Sequence, residues 1–174
     1  MKICATIGEM RAETARWRRA GQSIALVPTM GFLHEGHMAL VRRARALADF
    51  VVVWIFVNPT QFEDAGDLAT YPRDMERDLA LLRAEDVDAV FTPDAAEIYP
   101  AGSDTIVEVQ HLSRILLGQH RPGHFRGVTT VVTKFFNIVQ PEFAIFGEKD
   151  YQQLQVIRRM VRDLHMPVEI IAVP

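Results

Sequence analysis

The chain has 174 residues, 49% of them hydrophobic, with 19 Lys and Arg against 22 Asp and Glu for a net charge of -3. That is enough apolar material for one domain with a core of its own, and it excludes a disordered chain. The mild acidity argues against a general nucleic-acid binder, and the single cysteine, Cys4, excludes an internal disulfide framework and suits a reducing cytosol. Glu9, Arg11 and Glu13 break any apolar core near the start, so no secretory signal is expected there. The longest apolar run, Phe50 to Val57, has the length of a strand rather than of a membrane span. No repeat or low-complexity segment is visible.

Thr6-Ile7-Gly8-Glu9 matches a capping box, and a helix is expected from there to about Ala20, with a turn at Gly21. Ile24 to Val27 reads as a central strand. After it comes Pro28-Thr29-Met30-Gly31-Phe32-Leu33-His34-Glu35-Gly36-His37, and then a helix running to about Asp49. Phe50 to Val57 is apolar throughout, as in a parallel strand covered on both faces. It ends in Asn58-Pro59-Thr60-Gln61-Phe62, a loop expected on the same sheet edge as the His loop. Tyr71-Pro72 should precede a helix to about Glu85, with Pro72 near its first turn. The mixed charges of Arg73 to Asp78 read as a solvated face of that helix. Val87 to Phe91 is a short strand. Thr105 to Gln110 alternates like an edge strand. A helix from Gly123 to about Val139 carries a core stripe that includes Val128, Val131, Val132, Phe135 and Phe136. Glu142 to Phe146 is a strand, Gly147-Glu148-Lys149-Asp150 a loop, a helix follows to about Leu164, and Val168 to Val173 is a last strand.

Strands and helices alternating at these spacings make right-handed βαβ units, hence an α/β, Rossmann-like, doubly wound parallel sheet with helices on both faces. There is no G-x-G-x-x-G and no Walker A string, which takes support from nicotinamide and P-loop chemistry. Three strand ends deliver polar loops: His34 and His37, Asn58 and Gln61, and Gly147 to Asp150. In a parallel sheet such loops meet above one crevice, at the carboxyl ends of the strands. A lone His at a helix start is ordinary surface chemistry. Two of them flanking Gly36 beside the unpaired amides of a helix N-terminus form a ready anion site. A zincin needs His residues at i and i+4, and here the second comes one residue early. Lys149 opposes the macrodipole at a helix start, where Glu148 and Asp150 suit it, and that mismatch points to function; Asp150 serves equally well as a helix N-cap. Gln61 and Gln153 carry donor and acceptor on one uncharged group, which suits a small hydroxy acid. His120 and His124 stand at i and i+4, but Pro122 and Gly123 between them favour a loop over a metal site.

Strand, then His-x-Gly-His opening a helix, resembles the signature of the nucleotidylyltransferase superfamily. The longer Pro28-to-His37 string resembles the narrower pantothenate synthetase family, the pantoate–beta-alanine ligases. So do Asn58 to Phe62, Tyr71-Pro72-Arg73, Arg121 to Val128, and Phe146 to Leu154, in the family's order. The resemblance implies a cytoplasmic, magnesium- and ATP-dependent ligase, homodimeric, with pantoate and β-alanine as small-molecule substrates and neither nucleic acid nor membrane as partner. Pantoate would be adenylated with loss of diphosphate, and the amine of β-alanine would then displace AMP. By resemblance, Met30, Gly31, Phe32, Leu33, His34, Glu35, Gly36 and His37 bind ATP, as do Gly147, Glu148, Lys149 and Asp150. His37 matches a proton donor, with His34 and Lys149 as further catalytic candidates that steady charge on the phosphates. Gln61 matches a contact to pantoate and β-alanine, and Gln153 one to pantoate. Asn58, Arg121 and His124 match pocket-lining positions, and Asp78 one near magnesium, although its neighbour Arg77 departs from the acidic run expected there. The family continues with a Ser-Ser-Arg loop and a smaller C-terminal domain that nothing here matches. Residues 1–174 are therefore expected to be the nucleotide-binding domain alone, binding weakly and turning over little by themselves. The alternatives are another nucleotidylyltransferase, or a non-catalytic binding or dimerisation module that keeps the fold. The edge strand expected at Thr105 to Gln110 offers a surface for a dimer.

Overall fold

In the central strand β2 (Ile24–Thr29), successive side chains are buried on opposite faces, and that alternation divides the core in two. The computed structural model describes residues 1–62 and 64–174. The other strands are β1 (Lys2–Cys4), β3 (Phe50–Ile55), β4 (Ala89–Phe91), β5 (Phe143–Gly147) and β6 (Glu169–Val173). Together the six form one sheet in the order β1-β4-β3-β2-β5-β6, every pair parallel. Ile24 and Leu26 of β2, with Val52 and Trp54 of β3, face α1 (Ile7–Arg19), α7 (His124–Val139) and α8 (Tyr151–Asp163). Ala25 and Val27, with Val51, Val53 and Ile55, face α2 (Glu35–Arg45) and α4 (Met75–Ala84). Short helices α3 (Ala65–Thr70), α5 (Ala95–Ile98) and α6 (Leu117–His120) complete the chain. The doubly wound parallel fold expected from the sequence is the one observed.

The local signals hold where side chains close them. Thr6 caps α1 by accepting from Glu9 N–H at 3.2 Å, and Glu9 accepts in return from Thr6 N–H at 3.0 Å. The apolar stripe of α7 is buried along its length, from Phe125 to Val139. Three expectations need correction. Thr105 to Gln110 is not a strand: Val107 is tied to α7, donating to Thr130 Oγ1 at 3.0 Å and accepting from Thr129 Oγ1 at 2.5 Å. The helix after Pro72 begins only at Met75, because Asp74 accepts from Arg77 N–H at 3.1 Å and caps it there. Nor is Arg73 to Asp78 a wholly solvated face, for Asp78 is 1% exposed.

Candidate active site

Strands are laid down outward on one side of β2 as β3 and β4 and on the other as β5 and β6, so the winding order reverses between β2 and β5, and there the sheet splits. Ser23 and Thr29 address β3 through their carbonyls, whereas Ile24 addresses β5 by accepting from Glu142 N–H. By the same alternation Leu26 and Pro28 also address β5. Pairing with β5 is found at Ala25 and Leu26 and stops there. Pro28 has no N–H to continue the ladder, so the strands part beyond Leu26. A cavity of about 370 Å³ occupies the gap, walled by Pro28, Thr29 and Met30 on one side and Ile145, Phe146 and Gly147 on the other. This is the topological switch point, where open α/β sheets bind ligands.

The loop leaving β2 turns through two left-handed residues, Gly31 (φ 84°) and Phe32 (φ 52°). A Cβ on Gly31 would sit 3.1 Å from Ile55 and 3.2 Å from Asp78, so glycine suits both the angle and the space. Asp78 holds the turn. Its two oxygens accept from Phe32 N–H and Leu33 N–H, each at 2.7 Å. Arg77 donates to Leu33 C=O at 2.9 Å. His34 then serves as the N-cap of α2, its Nδ1 accepting from Gly36 N–H at 3.1 Å, while His37 Nδ1 accepts from His34 N–H at 3.3 Å. Each Nδ1 is thus an acceptor, so each neutral ring carries its proton on Nε2. The ring centroids lie 4.2 Å apart. Burial pushes His37 down to about 4; His34 and Lys149 act in the same direction and Asp78 against it. At neutral pH His37 is therefore an uncharged donor.

The second wall comes from the turn after β3. Asn58 is 1% exposed; its Nδ2 donates to Gln61 Oε1 at 2.9 Å and to Gly127 C=O at 3.2 Å. Arg121 and His124 both reach the backbone oxygen of Gln61, at 3.3 Å and 3.2 Å, His124 through Nδ1. They stand on either side of the turn between α6 and α7, with His120 at the end of α6. Gly127 allows α7 to approach this turn, since a Cβ there would lie 2.5 Å from Thr60 C=O. The third wall is the turn after β5, where Lys149 and Asp150 line the cavity. Asp150 stands at the N-cap position of α8 without making a side-chain cap bond. Gln153 faces the cavity, whereas Gln152 clamps residues 112–117, donating to Leu112 C=O at 3.0 Å and Ile115 C=O at 2.7 Å and accepting from Leu117 N–H at 3.1 Å.

Met30, His34, Gly36, His37, Asn58, Gln61, Gly147, Lys149, Asp150 and Gln153 therefore share one cavity. Other expected residues stand elsewhere. Leu33 is in the core, Glu35 pairs with Arg42 on the surface, Glu148 is exposed, and Gly31 and Phe32 border a neighbouring cavity of about 300 Å³ together with Asp78. Arg121 and His124 buttress the Gln61 turn from behind. Asp78, read from the sequence as close to magnesium, has both oxygens engaged by amides, and no group of three His, Cys, Asp or Glu among the described residues is placed to hold a metal. Sequence reasoning missed Tyr71, which lines the cavity, and Tyr99, whose hydroxyl donates to Asn58 Oδ1 at 2.9 Å. Burial pushes the Tyr99 phenol up, against the pull of its bonds to Thr60 and Asn58. The one signal available was its place in Ile98-Tyr99-Pro100, after a short helix.

The pantoate-beta-alanine ligase family model matches residues 2–174. A pantothenate synthetase of Bartonella tribocorum is 60% identical over the whole chain, which covers 61% of that relative. One from Moorella thermoacetica is 58% identical, with 62% of its length covered. The chain thus spans about three-fifths of the length of these curated relatives. Among solved structures, a pantothenate synthetase of Thermus thermophilus superposes over the full chain and 62% of its own length, at TM-score 0.95 and 52% identity. A pantoate-beta-alanine ligase of Francisella tularensis, complexed with beta-gamma ATP and beta-alanine, superposes over 67% of its length at TM-score 0.96 and 40% identity. No helix among the described residues is long and apolar enough to cross a membrane. With its sheet, its switch-point cavity and its whole length matched, the chain belongs to the pantoate-beta-alanine ligase family.

Proposed function

We propose that this chain forms the nucleotide- and acid-binding part of an ATP-dependent ligase that condenses pantoate with β-alanine to give pantothenate, AMP and diphosphate. The observation that carries the reading is one cavity lined by His34, His37, Lys149, Gln61 and Gln153, delivered by three separate strand ends. The relative from Francisella, complexed with beta-gamma ATP and beta-alanine, supports it.

A pantoate carboxylate oxygen attacks the α-phosphorus, and the bond to the diphosphate oxygen breaks with its electron pair. Negative charge grows on the leaving oxygen and the phosphoryl oxygens. The Nε2–H donors of His34 and His37 and the ammonium of Lys149 are the groups available to meet it. In the second step the β-alanine nitrogen, unprotonated, attacks the acyl carbon; AMP departs and the nitrogen loses a proton. The chain's own residues make no cage for magnesium, with Asp78 engaged and no ligand cluster present among those described. We propose magnesium as part of the substrate, magnesium–ATP, where it would supply positive charge for the phosphates beside His34, His37 and Lys149. The compartment we propose is the cytoplasm, where Cys4 stays a buried thiol. The assembly we propose is a homodimer; the edge strand expected to offer its seam at residues 105–110 is not formed.

Trapping activated pantoate as its hydroxamate in the full-length enzyme tests the reading. His37→Ala and Lys149→Ala should each cut adenylate formation roughly a hundredfold or more. Near-normal trapping in either variant removes that residue's role, and no trapping in the parent enzyme refutes the pantoyl adenylate.

A further inference from the structure

Asn58 uses both ends of its carboxamide inside the protein, and backbone partners fix which way round it lies. Its Oδ1 accepts from Thr60 N–H at 3.3 Å, and its Nδ2 donates to Gly127 C=O at 3.2 Å. A backbone amide can only donate and a backbone carbonyl can only accept, so the orientation is determined. Tyr99 O–H, 2.9 Å from Oδ1, must then donate to it, as Thr60 Oγ1 does at the same distance. The remaining Nδ2 proton goes to Gln61 at 2.9 Å. Facing an NH2 that only donates, Gln61 must present its oxygen there. Its own NH2 is thereby left for a ligand, and Gln61 lines the cavity. Tyr99 is itself held from above by Lys134, whose ammonium lies 4.5 Å from the ring centroid.

We propose that Tyr99 and Asn58 are positioning residues that lock the Gln61 carboxamide with its NH2 toward the ligand, so that this wall selects substrates presenting carboxylate or hydroxyl oxygens. The inference rests on the reading that the acid substrate occupies this cavity. Tyr99 touches no substrate and acts through two side chains in series. A hydroxyl donor so placed reinforces the polarity that the backbone partners set: without it the Asn58 amide loses part of what holds its oxygen inward, and Gln61 gains freedom to turn.

Tyr99→Phe and Asn58→Asp, each in the full-length enzyme, test this. Tyr99→Phe removes one neutral donor and should raise the KM for pantoate roughly 3- to 10-fold, with the KM for ATP within about twofold of the parent. Asn58→Asp replaces the NH2 with an oxygen that faces the Gln61 oxygen and turns that amide round. The KM for pantoate should then rise roughly 30-fold or more, again with the KM for ATP little changed. An equal loss for both substrates would mean general collapse of the turn and would overturn the proposal, as would an unchanged KM for pantoate in both variants. Hydrogen exchange of the Asn58 side-chain amide separates this inference from the substrate assignment. Slow exchange in the parent that quickens several-fold in Tyr99→Phe supports the relay whichever acid is bound, and equal exchange in the two overturns it.

Discussion

Asp78→Ala should unfold the protein more easily and weaken ATP binding together, because one carboxylate holds the turn that carries the two imidazoles. The bonds from Phe32 N–H and Leu33 N–H are both 2.7 Å and both go to a charged acceptor that is 1% exposed. Removing both acceptors strands two amides, at about 1–3 kcal/mol each. The Leu33 amide lies in the buried core and bears its full cost, whereas Phe32 is 47% exposed and its amide can recover water. The left-handed backbone of Phe32, at φ 52°, is strained in parent and variant alike and adds nothing to the difference. The loss is about 2–3 kcal/mol, a large share of the stability of an ordinary domain. Asp78→Asn keeps one acceptor and turns an NH2 toward the other amide, so it should cost about 2 kcal/mol. Urea unfolding gives the stability, and ATP titration at a temperature where both variants stay folded gives the affinity. An Asp78→Ala protein within about 1 kcal/mol of the parent would refute the pinning argument. Lost magnesium dependence at unchanged stability would mean instead that the carboxylate serves a metal.

Two further predictions follow from the same walls. His37, held at about 4 by burial, binds fewer protons folded than unfolded between its ordinary value and about 4. Stability should therefore fall as pH drops through that window and level off above it, a change of about 1–2 kcal/mol once screening of a half-buried ring is allowed for; unfolding titrations should show the slope in the parent and lose it in His37→Asn. Gly127→Ala places a methyl group 2.5 Å from the backbone oxygen of Thr60, so the Asn58–Gln61 turn must move; a loss of about 1–3 kcal/mol in thermal unfolding, with a weakened pantoate KM, is the expected result.

The parts of this molecule legible in the sequence are those set by period and by loops that leave adjacent strands. The β2 and β3 runs announce burial on both faces. The three polar strand ends meet because parallel order puts every carboxyl end on one edge, a rule that needs no knowledge of the partners. What stayed hidden depends on contacts far apart in the chain. Asp78 reads as one charge among many in a helix, and only the fold brings the turn 45 residues earlier onto it. Tyr99 meets Asn58 across 41 residues. Residues 105–110 alternate as an edge strand would, but the alternation serves packing on α7, where Thr129 and Thr130 take the Val107 backbone groups that a sheet would have paired. β1 is three residues long with two exposed, too short to show a period.

The charge around the cavity bears on how such a site discriminates between ground and transition states. A triphosphate carries several negative charges, yet the walls offer one ammonium, Lys149, offset by the carboxylate of Asp150 on the same turn. The imidazoles add N–H donors, because the backbone amides of His34 and Gly36 occupy Nδ1, and burial keeps His37 neutral. A cationic pair would hold substrate and diphosphate alike and stabilise the ground state as much as the reacting one. Fixed neutral N–H groups gain most where charge grows during the reaction, since their orientation has already been set by folding. The same backbone bonds that cap α2 thereby decide the tautomer of both rings, so the start of a helix and the polarity of a reaction site are fixed by one set of hydrogen bonds.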